Sequence, residues 1–136
     1  MNSRSFDPIW DDIYRSGHAN RYPWDSVVSF VINHSPAEVP RRDVSILEVG
    51  CGAASNLWFA AREGFSVAGI DASEEAIVAA RQRFKTDGLD GDLRQGNFMS
   101  LPFKNEQFDL VIDRGSLVCV GRSDAKRAVH EIHRCL

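Results

Sequence analysis

The sequence predicts an α/β fold in which a mostly parallel sheet is covered on both faces by helices. Three observations carry this. From Val44 onward, short apolar runs alternate with segments of helical spacing. The first run, "VSILEV", is mostly apolar on both faces, as a strand buried in a parallel sheet must be. It ends in a glycine turn, "GCGAAS", that feeds a helix, and such turns bring backbone close to a ligand.

Residues 1–43 read as an N-terminal helical segment that is rich in turns and aromatic side chains. A short helix is expected over 9–16, ended by Gly17. A second begins near Pro23, a residue suited to a first helical position. Trp24, Val27, Val28, Val31 and Ile32 recur along it at helical spacing. "SPAEVPRRD" is then a loop.

Residues 44–136 form the core. After the first strand comes a helix over 55–63 with Gly64 at its C-terminal cap, then a second strand, "SVAGI". Ser73 caps the next helix, whose first turn carries Glu74 and Glu75 against the helix dipole. Ile77, Ala80 and Phe84 give that helix an inward stripe. "DLRQGNF" is a polar strand suited to a sheet edge, and "FDLVI", residues 108–112, is the fourth strand. The last helix starts at Ser123 or Asp124 and turns Ala125, Ala128, Val129, Ile132 and Leu136 inward. His130, His133 and Arg134 fall near its C-terminus, where positive charge is favourable.

Composition narrows the function. A chain of 136 residues fits one domain, and a net charge of -3 argues against a broad basic face for nucleic acid. No run approaches the roughly 18 apolar residues of a membrane span. The cysteines Cys51, Cys119 and Cys135 are an odd set without metal-type spacing, which points to reduced thiols in a cytoplasmic protein. His130 and His133 lack a third ligand nearby in sequence, so no metal site is expected.

The glycine turn carries the chemistry. Asp71 ends the second strand, 21 residues after Gly50, where a carboxylate can accept the hydroxyl hydrogens of an adenosine ribose. Dinucleotide oxidoreductases share that layout, but their third glycine is replaced here by Ser55. Glu48, two residues before Gly50, would repel a pyrophosphate and attract a ligand bearing an ammonium and a sulfonium. S-adenosylmethionine is such a ligand. An NAD-dependent oxidoreductase is the alternative that this charge disfavours.

From about Val44 to Leu136 the chain resembles the class I S-adenosylmethionine-dependent methyltransferases, with their Rossmann-like three-layer sandwich. "ILEVGCGAAS", "VAGIDASEEAI", "GNFMSLPF", "FDLVIDRGSLVCV" and "AVHEIHRCL" match the family's motifs in order and at normal spacing. The resemblance implies that Glu48, Gly50, Cys51 and Gly52 line the methionine part, that Asp71 holds the ribose, and that Ala72 lies against the adenine. It places Asn97 as acceptor for the adenine amine, Phe98 as backbone donor to the ring, and Asp113 with Arg114 near the methionine end. Ala54 stands where many members carry a third glycine. In related methyltransferases an N-terminal helical segment lies over the cofactor, so Tyr14 or Arg21 is expected to reach the cofactor carboxylate. Trp10 and Trp24 are read as packing residues.

The acceptor is left open by the same motifs. "DRGSLVCV" resembles the post-strand motif of thiopurine-type small-molecule methyltransferases, and also a "DKGT"-like motif of some protein-lysine methyltransferases. The absence of a basic or acidic groove for a polymer favours a small molecule. In the family, further strands follow the helix that ends "HRCL" and contribute to the acceptor pocket, so a non-catalytic cofactor-binding module is a third reading. Lacking those C-terminal strands, the sheet would leave its fourth strand as an apolar edge, and self-association through that edge is expected.

Overall fold

Alternation along the first strand decides how the molecule is layered. The structure is a computed structural model and describes residues 6–136; the first five residues of the N-terminal segment lie outside the described residues. β1 (Ser45–Val49) lies between β2 (Ser66–Asp71) and β4 (Leu110–Asp113), with β3 (Asp92–Gln95) beyond β2. All three pairings are parallel. The polar β3 is one edge, as its sequence suggests; β4, whose apolar run by itself suits a central strand, is the other, as expected where the later strands of the family's sheet are lacking. Strand order reverses between β1 and β4, and in open α/β sheets ligands bind outside the carboxyl ends at such a point.

Ile46 points into a core shared with Val31 of α2 (Asp25–His34), Leu57 and Ala60 of α3 (Ser55–Arg62), and Ile77 and Phe84 of α4 (Glu74–Thr86). Leu47 and Val49 point the other way, onto Leu101, Phe103, Phe108 and Cys135, the last residue of α5 (Arg122–Cys135). The period of two along a strand therefore yields three layers. It also sends Glu48 to the same face as Ile46, toward α3.

Local signals place most helix ends. The Ser73 side chain accepts from the Ala76 N–H and caps α4 as expected. Ile77, Ala80 and Phe84 form its buried stripe. Ahead of the sheet, α1 (Ile9–Arg15) rests against the start of α4. The Ser73 hydroxyl lies 2.5 Å from the Asp11 carboxylate, and Arg15 pairs with Glu75 at 3.3 Å.

Two helices depart from expectation. α2 begins at Asp25, after Pro23, and buries Val27 and Val31, whereas Trp24 and Ile32 are each 43% exposed. The Trp24 ring is drawn instead to the Arg114 guanidinium, 4.0 Å away. α5 begins at Arg122, with Gly121 at its N-cap position, and turns Ala128 and Cys135 inward, with Ile132 partly buried against the same core as expected. Val129 and Leu136 are about half exposed, at 53% and 49%. Hydrogen bonding overrides hydrophobicity here. Arg134 donates to the carbonyls of Leu101 (2.9 Å) and Phe103 (2.8 Å) and to the Glu131 carboxylate, which accepts from the Leu101 N–H. In return, the N–H groups of Glu106 and Phe108 donate to the carbonyls of Arg134 and Cys135. This stitching fixes the last turn of α5, with Cys135 in the core. β3 and β4 are also shorter than their apolar or polar runs, spanning Asp92–Gln95 and Leu110–Asp113.

Gly69 sits beside Glu48 in the β1–β2 register, close under Leu57 of α3 and Cys51. A Cβ there would meet Leu57 Cδ1 at 2.6 Å and Cys51 Sγ at 2.8 Å. Gly69→Ala is expected to destabilise the fold by about 1–3 kcal/mol through overpacking. A urea midpoint equal to that of the parent protein would show that this contact yields.

Candidate cofactor site

The chain leaves β1 by a turn that is unusually left-handed. Gly50 has φ 63°, Gly52 φ 55° and Ala54 φ 62°. Alanine pays a steric cost in that region that glycine does not, so Ala54 is held there by its surroundings. It is fully buried, and its N–H donates to the Cys51 carbonyl. Glycine at position 50 serves a close approach, because a Cβ would fall 2.2 Å from that of Ser116. A Cβ on Gly52 would lie 2.3 Å from the Tyr14 hydroxyl. Part of the space beside these glycines is thus taken by side chains from α1 and from the loop after β4.

Two carboxylates flank the turn. Asp71 accepts from the Gly52 N–H at 2.8 Å and from the Ser73 N–H at 2.9 Å, which fixes both of its oxygens at the mouth of the sheet. Burial raises its pKa, and those two hydrogen bonds oppose the rise. Glu48 is only 2% exposed. One of its oxygens accepts from the Asn56 amide at 2.7 Å, and the other, Oε1, is buried with no hydrogen-bond partner. Burial pushes the Glu48 pKa up to about 8; Asp71 and Asp113 add to this, and the Asn56 hydrogen bond counters it. Tyr14 rises to about 12, chiefly by burial.

The side chains converge on two adjoining cavities of about 210 and 240 Å³. Tyr14, Gly50, Asp71, Ala72, Phe98 and Arg114 line the first. Glu48, Cys51 and Gly52 line the second, and Tyr14, Gly50 and Arg114 border both. Trp10 also borders both, so it is a wall of the groove and more than a packing residue.

Three sequence-based expectations lie elsewhere. Asp113 lines neither cavity. Its carboxylate accepts from the backbone N–H of Ser116 (2.9 Å) and Leu117 and from the Ser116 hydroxyl, ordering the loop that carries Arg114. Asn97 is exposed and outside both linings; its amide oxygen accepts from the Met99 N–H at 2.9 Å. Arg21 faces a separate surface cavity and stacks on Tyr22, so Arg114 is the guanidinium of the groove. Sequence reasoning missed Asn56 and Ser116. A polar residue on the core side of α3 is the one available signal for Asn56.

In its ionised form, a buried carboxylate with an unpartnered oxygen fits a cationic hydrogen-bond donor and repels an anion. Residues 46–136 match the family model described as a methyltransferase domain. The chain belongs to the class I S-adenosylmethionine-dependent methyltransferase family. S-adenosylmethionine is the cofactor of that family, and the dinucleotide alternative falls away.

Among relatives, the chain is 36% identical over 74 residues to a ubiquinone biosynthesis O-methyltransferase of Roseobacter denitrificans, covering 54% of this chain and 30% of that protein. It is 38% identical over 82 residues to a probable fatty acid methyltransferase of Pseudomonas putida, covering 58% of this chain and 21% of the relative. A solved S-adenosylmethionine-dependent methyltransferase from Methanosarcina mazei superposes with a TM-score of 0.70 at 28% identity, over 79% of this chain and 51% of that one. The chain therefore spans well under half the length of those two relatives and about half of the solved structure. Among the described residues, no helix is long and apolar enough to cross a membrane.

The raised Glu48 pKa has a consequence for the ligand-free protein. The folded state holds this proton up to about pH 8, while an unfolded glutamate releases it near 4.5. Between those values the native state binds more protons, so stability falls as pH rises, by an amount on the order of a few kcal/mol. Asp71 acts in the same direction. Glu48→Gln is expected to flatten much of this decline. Thermal midpoints from pH 5 to 8 that run parallel for the two proteins would refute it.

Proposed function

We propose that the protein transfers a methyl group from S-adenosylmethionine to a small-molecule acceptor. The observation that carries the reading is the buried, half-partnered Glu48 carboxylate beside the glycine turn, with Asp71 at the end of the neighbouring strand. Glu48, Gly50, Cys51 and Gly52 would receive the methionine part, whose ammonium supplies the donor that Glu48 Oε1 lacks. Asp71 would hold the ribose, and Ala72 with Phe98 would flank the adenine. Tyr14 and Arg114, which border both cavities, would meet the methionine end, Arg114 offering charge to its carboxylate.

Asp113 and Asn97 take supporting parts in this reading. The first orders the loop bearing Arg114 and Ser116, and the second turns the chain at Phe98. When bound, the cofactor supplies a methyl group already activated by its sulfonium. What remains for the protein is alignment of the reactants and exclusion of water. The walls suit the exclusion of water, since Trp10, Phe98 and Val120 are apolar surfaces of the first cavity. A small acceptor is supported by relatives named for ubiquinone and fatty acid chemistry, and by a net charge of -3 that offers no polyanion-binding face.

Calorimetry with S-adenosylhomocysteine tests the reading. The protein is expected to bind it and not NAD, and Asp71→Ala is expected to weaken binding by about 1.5–3 kcal/mol, the range for a lost charged hydrogen bond. Unchanged affinity in a folded variant would remove Asp71 from the ribose. Tighter binding of NAD would overturn the proposal as a whole.

A further inference from the structure

Asn56 is the one polar side chain of α3 that is buried, at 6% exposure. It stands between two elements far apart in sequence. Its Oδ1 accepts from the Trp24 N–H at 3.0 Å, at the threshold of α2. Its Nδ2 donates to Glu48 Oε2 at 2.7 Å, on β1. The amide has a single workable orientation. Turned over, it would set its oxygen against the carboxylate and its NH₂ against the Trp24 N–H, leaving buried groups unsatisfied.

We propose that Asn56 is a positioning residue that aims the free oxygen of Glu48 at the cofactor's amino group and ties that aim to the placement of α2. The inference rests on the cofactor reading given above. Among the described residues, the Glu48 side chain has one hydrogen bond to hold it, and it comes from Asn56. With Oε2 pinned on the α3 side, Oε1 is the oxygen left for a ligand in the second cavity. The same bond reaches the far wall of the groove, since the Trp24 whose N–H fixes Asn56 also carries the ring that packs on Arg114.

Asn56 also favours the ionised form of Glu48, against the combined effect of burial, Asp71 and Asp113. Tyr14, Cys51, His18 and Arg114 are the other titratable or charged groups lining that cavity. Removing the amide donor keeps Glu48 protonated to higher pH, where it attracts an ammonium less.

Two probes separate this from a merely structural role. S-adenosylhomocysteine carries the amino-acid group; 5′-methylthioadenosine carries the same nucleoside and sulfur without it. Calorimetry from pH 6 to 9 is run on the parent protein, Asn56→Ala and Asn56→Asp. The ionised aspartate keeps an acceptor for the Trp24 N–H, loses the donor to Glu48 and sets a like charge beside it. Both variants are expected to bind S-adenosylhomocysteine about tenfold or more weakly at pH 7, with the rise of affinity moved to higher pH. Binding of 5′-methylthioadenosine is expected to stay within about twofold, which also reports that the variants are folded. Equal weakening of both probes, or an unmoved pH profile, would reduce Asn56 to a packing residue. A parent protein that binds neither probe would overturn the cofactor reading, and this inference with it.

Discussion

A carboxylate buried to 2% exposure at the wall of the groove organises this molecule. Glu48 belongs to the central strand, and the alternation that buries Ile46 buries it too. A charge in such a place is costly unless partners surround it. The neighbouring elements supply only part of that need. α3 brings Asn56, Gly69 leaves room on β2, and Arg114 stands across the groove. The remaining deficit is one unpartnered oxygen, on a residue that lines the second cavity. Stability is given up at that position, which is where the proposed contact with the cofactor's ammonium would be made.

The wall opposite the sheet comes from the beginning of the chain. Trp10 and Tyr14 lie over the glycine turn, and the Asp11 and Arg15 contacts with the start of α4 hold α1 there. Arg83 adds a second attachment, donating from α4 to the carbonyls of Asn20 and Arg21. The same α4 that is capped by Ser73 at the site end therefore also anchors the segment between α1 and α2. Sheet, site and N-terminal wall share one helix as their reference.

Much of this was legible in the residues. The alternation of strands and helices, the cap at Ser73, the polar edge of β3 and the pairing of Glu48 with Asp71 around a glycine turn all follow from local chemistry. What was not legible depends on partners distant in sequence. Asp113 reads as a site acid because it ends a strand, yet three donors within four residues claim its carboxylate. Asn97 is drawn into a turn with Met99 in the same way. Trp24 looks like one more apolar residue on a helical stripe until Arg114 arrives from ninety residues away. On α5, Ala128 and Ile132 face the core as their spacing suggests, whereas Val129 and Leu136 stay half exposed and Cys135 is buried beside the carbonyls that meet Arg134.

The stitching of α5 bears on how the chain is assembled in time. β4 enters the sheet from a loop whose N–H and C=O groups at 101–108 are answered by Glu131, Arg134 and Cys135, all of them later in the chain. During synthesis β1, β2 and β3 can pair as soon as each emerges, because their helices lie between them. β4 has no such local partner. Its place beside β1 is backed by the final turn of α5, so the half of the groove bearing Arg114 and Ser116 depends on contacts made late in the chain.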